Sequence, residues 1–202
     1  MPPLFDFTQF PTLETERLIL RELRLTDADA VFRIRGDYEV TRYNIGAAYT
    51  SLDQSIALIE SVLNGYREEN ELRWGIVLKD APRSEAGQVI GVCGYNYWSR
   101  IDHRGSVGYD LARPYWGRGI MPEALTAIIN FGFERMGLNR IEADASFYNT
   151  ASTHVLEKLG FHQEGLQREQ YFEDGSYHDL RLFALLKRDW ENKAKTFSNN
   201  QA

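Results

Sequence analysis

The chain has 202 residues, 43% of them apolar and 26% charged, which suits one globular domain with ample length to bury a core. A net charge of −6 and an isoelectric point near 5.3 argue against an overall nucleic-acid-binding surface, leave room for a local basic pocket for phosphate, and mildly favour cationic substrates such as amines. A single cysteine, Cys93, rules out an internal disulfide and any metal site built from several thiolates, and the four histidines show no metal-ligand spacing.

The N-terminus shows no basic region followed by an apolar run, so it does not read as a signal peptide. No apolar stretch approaches the ~18 residues that span a bilayer. No membrane or nucleic-acid partner is expected, and the cytoplasm is the expected compartment.

In chain order, the first twelve residues hold three prolines and are expected to hug the surface. Arg17 to Leu23 reads as a first strand. Thr26-Asp27-Ala28-Asp29 opens a helix with acids in its first turn, ending near Gly36. Residues 37–50 read as polar and irregular. Ser51 caps a second helix, whose Ile56, Ile59, Val62 and Leu63 share one face. Arg73 to Leu78 is a second strand, and Pro82, Ser84 and Gly87 mark a turn. Gln88 to Tyr97 and Arg104 to Leu111 are the third and fourth strands. A long helix from Pro122 to Met136 ends at Gly137. Ile141 to Phe147 is a fifth strand, and Asn149 to Leu159 a helix stopped by Gly160. Phe161 to Phe172 and Tyr177 to Leu186 form a hairpin around Glu173-Asp174-Gly175. The polar tail from Glu191 is expected to be disordered.

The chain is organised around Tyr115-Trp116-Gly117-Arg118-Gly119-Ile120-Met121, between a strand and a helix. Two glycines one residue apart let bare backbone approach a ligand. The following helix start offers unpartnered N–H groups and a favourable dipole, which together make a phosphate cradle. It is not a P-loop, because Ile120 and Met121 stand where Lys and Ser or Thr are needed. It is not a dinucleotide fingerprint, because Pro122 stands where a third small residue is needed. Proline suits the first helical position. Arg118 offers a cation to the cradle, whereas Glu123 in the first turn must point away from any bound phosphate.

This order of elements resembles the GNAT N-acetyltransferase fold over roughly Thr12 to Trp190, as a single domain with residues 1–11 and 191–202 as terminal extensions. The family loop, Gln/Arg-x-x-Gly-x-Gly/Ala, reads here as Pro114-Tyr115-Trp116-Gly117-Arg118-Gly119, with Pro114 in place of the leading Gln/Arg and Arg113 just before it. Asn149-Thr150-Ala151-Ser152, followed by Glu157-Lys158-Leu159-Gly160-Phe161, is similar to the ribosomal-protein N-acetyltransferase (RimJ/RimL-like) branch. So are Glu14 to Arg21 and Gly175 to Asp179. The resemblance implies an α/β fold with a mixed, mostly antiparallel central sheet, flanked by helices and splayed between the fourth and fifth strands. It implies acetyl-CoA as co-substrate, no metal, and an amine acceptor, either a protein N-terminus or a small molecule. A homodimer is compatible with it. A non-catalytic acyl-CoA sensor is the rival from another functional class.

The resemblance assigns the pyrophosphate to Gly117, Arg118, Gly119, Ile120 and Met121, with Leu111 and Trp116 beside them. To Asn149, which is also a good helix cap, it adds an amide contact to the pantetheine arm. By the same resemblance Ser152, rather than Tyr148, protonates the departing thiolate. The base is less evident, because the family's usual acidic position on the fourth strand is Ser106 here. Glu142 is the base candidate, with Asp110 and Glu169 as alternatives. An N-terminal amine of pKa ~7.7 costs about 1 kcal/mol to deprotonate at pH 7, against roughly 4.6 for a lysine, so the lack of an obvious base favours an α-amine acceptor or a base acting through water. Tyr43, Asn44 and Trp98 are candidates to line the amine site. Cys93 reads as a core residue, Lys158 as a solvated one, and His178 with Asp179 as a structural pair.

Overall fold

The computed structural model describes residues 5–44, 46–82, 86–173 and 175–199; Ser84 and Asp174, assigned above to turns, lie outside them. Eight strands form one sheet: β1 (Leu13–Glu14), β2 (Leu18–Arg21), β3 (Leu72–Leu78), β4 (Val89–Ser99), β5 (Arg104–Leu111), β6 (Arg140–Ser146), β7 (His162–Glu173) and β8 (Ser176–Leu186). Their order is β1-β2-β3-β4-β5-β6-β8-β7, and β5 with β6 is the parallel pair in an otherwise antiparallel sheet. The short β1 shifts the count, so the fourth and fifth strands of the sequence reading are β5 and β6.

Helices α1 (Ala28–Arg35) and α3 (Leu52–Arg67) cover one face, where Val31, Ile34, Ile59 and Val62 pack on Val77, Val89 and Val92. Helices α4 (Ile120–Glu134) and α5 (Thr150–Leu159) cover the other, over a larger core that includes Leu125, Ile128, Ile129, Leu156 and the strand residues Val107, Ile141 and Ala143. Alternation along the strands therefore assigns each side chain to one of two helical layers.

The splay follows from the pairing register. The last β5–β6 pair is Ser106 with Glu142. Beyond it β5 stays bound to β4 as far as Leu111, and β6 stays bound to β8 as far as Ser146. Each strand is held by its outer neighbour, so the two part. β4 also bulges at Asn96, between the Tyr95–Val107 and Tyr97–Ser106 pairs, which bends it beside the gap.

Four sequence expectations change. Residues 37–50 contain a short helix, α2 (Tyr38–Thr41), started by Asp37, whose carboxylate accepts the Glu39 N–H. Helix α4 begins at Ile120, so Pro122 is its third residue, still in the first turn where an N–H has no intrahelical partner. β4 runs on to Ser99 and absorbs Trp98. The polar tail is helical as α6 (Lys187–Asn199), docked by Trp190 Nε1–H on Asn130 Oδ1 at 2.8 Å and Lys193 Nζ on the Lys158 carbonyl at 2.6 Å.

Candidate active site

The gap between β5 and β6 opens into a cleft of about 780 Å³ whose walls come from both faces of the sheet: α4 and α5 on one side, α1 and α2 on the other.

The α4 wall is the glycine loop. Gly117 and Gly119 sit in the left-handed region, at φ 70° and 73°, where side-chain-bearing residues are strained. A Cβ on Gly117 would meet nothing within 4 Å, and one on Gly119 only the Arg17 guanidinium at 3.4 Å. Backbone conformation demands these glycines, and the space above them is open. Trp116 folds back to donate its indole N–H to the Leu111 carbonyl at 2.7 Å, tying the loop to the end of β5. Ile120 and Met121 anchor the helix start in the core. The unpartnered N–H groups of that first turn fit an anion, and with the open glycine backbone they fit the pyrophosphate of a CoA substrate.

Glu123 turns away from this wall, as an anion site requires. Its Oε1 accepts from the Thr15 hydroxyl at 2.5 Å and the Arg17 backbone N–H at 2.9 Å, and its Oε2 from Arg17 Nε at 2.6 Å. Burial works to raise its pKa, but these hydrogen bonds and the Arg17 charge outweigh it and hold the carboxyl below its usual range. Arg17 also donates to the Arg118 carbonyl at 3.0 Å, bracing the loop from behind. The Arg118 guanidinium lies over the Tyr115 ring, 5.5 Å from its centre, and is not part of the cleft wall.

The α5 wall begins with Asn149, whose Oδ1 accepts the Ser152 N–H at 3.0 Å and caps the helix. The Ser152 hydroxyl is 2.7 Å from that of Tyr109, which reaches across from β5. Burial pushes the Tyr109 phenol up to about 12, the hydrogen bond to Ser152 pulling the other way, so it is a neutral hydroxyl near pH 7. Tyr109 was not singled out from the sequence. Its signal is alternation: it shares the α4/α5 face with Val107 and Leu111, beside the loop.

On the opposite side, Tyr43 and Asn44 line the cleft. Asp110 is buried and engaged, by Arg35 at 2.5 Å and Asn44 Nδ2 at 2.7 Å. Arg73 pairs with Glu71 at 2.8 Å and donates to Asn96 Oδ1; burial lowers the arginine pKa and raises that of the glutamate. Asp144 of β6 also lines this side; its side chain is exposed to solvent, and partial desolvation by the cleft walls raises its carboxyl pKa.

Several other candidates stand outside. Glu142 occupies the last position where β5 and β6 still touch, clamped by Arg140 Nε at 2.7 Å and Arg104 Nη1 at 3.1 Å; it does not line the cleft. Arg140 further binds Glu164 through two hydrogen bonds, of 3.0 and 2.6 Å. Glu169 lies in the hairpin, its backbone N–H bound to Asp179, and His178 stacks on Tyr171 rather than pairing with Asp179. Trp98 stacks on Phe7 within the core, at 5.3 Å. Tyr148 is 63% exposed and outside the cleft wall, whereas Lys158 lies on it. Cys93 is buried, which pushes its thiol up to about 12. Among the described residues no group of three or more His, Cys, Asp or Glu is placed to hold a metal ion, and no helix is long and apolar enough to cross a membrane.

Residues 17–162 match the acetyltransferase (GNAT) domain family. The chain is 38% identical over 179 residues to the uncharacterized N-acetyltransferase p20 of Bacillus licheniformis, covering 89% of this chain and 98% of that one. It is 34% identical over 104 residues to the [ribosomal protein uS5]-alanine N-acetyltransferase of Escherichia coli, over 51% of this chain and 54% of that one. Among solved structures, the ribosomal L7/L12 α-N-protein acetyltransferase RimL in complex with coenzyme A superposes with a TM-score of 0.77 at 19% identity, over 87% of this chain and 98% of that one, a likeness of fold.

Proposed function

We propose that this protein, which belongs to the GNAT acetyltransferase family, moves acetyl from acetyl-CoA directly to a primary amine, with a protein N-terminal α-amine as its preferred acceptor. One observation supports this reading above the others: a single cleft joins the open glycine backbone at the α4 N-terminus to the Ser152–Tyr109 hydroxyl pair through the β5–β6 gap.

In this reading Gly117, Gly119, Ile120 and Met121 hold the pyrophosphate through backbone, and Leu111 and Trp116 fix the loop. Arg118 adds at most long-range charge. Asn149 Oδ1 is used by the cap, so its amide N–H₂ is the group left to contact the pantetheine arm. The amine nitrogen bonds to the thioester carbon, the carbon–sulfur bond breaks, and Ser152 Oγ–H supplies the proton that sulfur takes up. Tyr109, neutral and half-buried, orients that hydroxyl. The α-amine preference rests on the amine's pKa and on the relatives that act on ribosomal proteins. The cytoplasm, where such acceptors are made, is the proposed site of action.

The test is CoA release from acetyl-CoA with a hexapeptide bearing a free N-terminal alanine, its Nα-blocked form carrying one lysine, and spermidine. Release with the first and little with the others is expected. Acetyl-CoA binding without release to any amine overturns the proposal, and faster turnover of spermidine overturns its acceptor.

A further inference from the structure

We propose that Asp144 binds the acceptor's ammonium group and takes its proton, acting from the side of the sheet opposite the glycine loop. This deepens the functional reading above and rests on it.

The placement comes from register. Ser106 and Glu142 are the last β5–β6 pair, so two residues further along each strand Gly108 and Asp144 face each other across the opening gap. Ile141, Ala143 and Ala145 point into the α4-side core, so Asp144 points the other way, towards α1 and α2. Its neighbour across β8 is Leu182, followed on the same face by Leu180 opposite Ser146, and neither offers a charge. Gly108 brings no side chain, and the Asn96 amide lies over it. The carboxylate thus stands at the throat of the cleft, on the side away from Ser152.

The surrounding charges leave it unmatched. On this side Arg35 is held by Asp110, Arg73 by Glu71, and Arg42 by Glu39 at 3.2 Å. On the far wall His154 and Lys158 of α5 line the cleft. None of the ion pairs among the described residues includes Asp144. Asp144 is open to solvent on the cleft wall, and an anion without a cation there attracts one from solution. Solvent reaches it, yet partial desolvation by the cleft walls raises its carboxyl pKa, which brings it nearer that of an α-amine and eases proton transfer. The steps balance. The ammonium proton passes to an Asp144 oxygen, the freed lone pair forms the carbon–nitrogen bond, and the carbon–sulfur bond breaks. Sulfur takes its proton from Ser152, which regains one from solvent. The second proton shed by nitrogen, and the one on Asp144, leave to water, so one proton is released per turnover.

The experiment compares wild type, Asp144→Asn and Asp144→Glu. It measures kcat/KM with the N-terminal-alanine hexapeptide from pH 6.5 to 9, and calorimetric affinity for acetyl-CoA and for the peptide on the CoA-loaded protein. D144N is expected to lower kcat/KM about 100-fold or more at pH 7 and weaken peptide binding at least tenfold, with acetyl-CoA affinity unchanged. Its deficit shrinks about sixfold by pH 9, as the free-amine fraction of a pKa ~7.7 acceptor rises without help. D144E retains more activity than D144N. A D144N enzyme within threefold of wild type, a deficit independent of pH, or an equal loss of acetyl-CoA affinity overturns the proposal. Wild type that transfers acetyl to no amine overturns the functional reading and this one together, whereas an active wild type beside an unimpaired D144N overturns this one alone.

Discussion

Tyr109 and Ser152 meet hydroxyl to hydroxyl at 2.7 Å, one on the strand that leaves the gap and the other on the helix that closes it. The contact ties β5 to α5 where β5 and β6 no longer touch. Tyr109→Phe keeps the packed ring and removes only the hydroxyl, with this bond and a longer one to the Ser152 carbonyl at 3.4 Å. Steady-state kinetics at saturating acetyl-CoA should show kcat down about tenfold, with calorimetric acetyl-CoA affinity unchanged, because the hydroxyl orients a group that acts in the transition state. An unchanged kcat with single-turnover chemistry also unchanged would leave the bond a purely structural tie.

Gly119→Val tests the cradle. The added side chain has room, since only the Arg17 guanidinium lies near, but φ of 73° does not suit a β-branched residue. Strain of about 1–2 kcal/mol is expected in chemical denaturation. Acetyl-CoA affinity should fall much further than that, at least 100-fold by calorimetry, because the loop shifts and its backbone is covered. A variant that loses stability and keeps its affinity would show that this glycine only turns the chain.

Much of this was legible beforehand because it follows from spacing. The glycine pair, the apolar faces of α3 and α4 and the cap at Asn149 are each fixed by residues close in sequence. What was not legible depends on partners far apart. Glu123 is harmless to an anion only because Thr15 and Arg17, over a hundred residues away, take its carboxylate. The α6 tail is helical because Trp190 finds Asn130. Glu142 and Asp144 are two residues apart on one face of one strand, and only the register of β5, which ends its pairing at Glu142, separates an ion-paired residue from one in the cleft.

Glu142→Gln follows from that separation. The carboxylate is shared by Arg140 and Arg104 on the closed part of the sheet. Losing its charge should cost well under 1 kcal/mol of stability, as partly exposed ion pairs do. kcat/KM should stay within threefold of wild type across pH 6.5 to 9. A loss of 100-fold or more would return Glu142 to the mechanism, through a water or a rearranged strand.

Ser152 and Asn149 divide capping from catalysis, and the geometry lets the two be measured apart. Asn149 Oδ1 holds the Ser152 backbone N–H at 3.0 Å, a bond that Ser152→Ala leaves in place. Asn149→Ala should therefore cost about 0.5–2 kcal/mol of stability by denaturant unfolding. It should also weaken acetyl-CoA binding, if the amide contacts the pantetheine arm. Ser152→Ala should change stability little, since it removes one hydroxyl pair that Tyr109 can replace with water. Its kcat should fall about 100-fold with acetyl-CoA affinity unchanged, the signature of a group that acts mainly in the transition state. Product release can mask such a loss, so the measurement is made under single-turnover conditions as well as at steady state. An Ala variant within threefold of wild type in both would remove Ser152 from the mechanism and make water the proton source for the thiolate. Tyr109→Phe would then be silent too, because the phenol's proposed role is exerted through the serine.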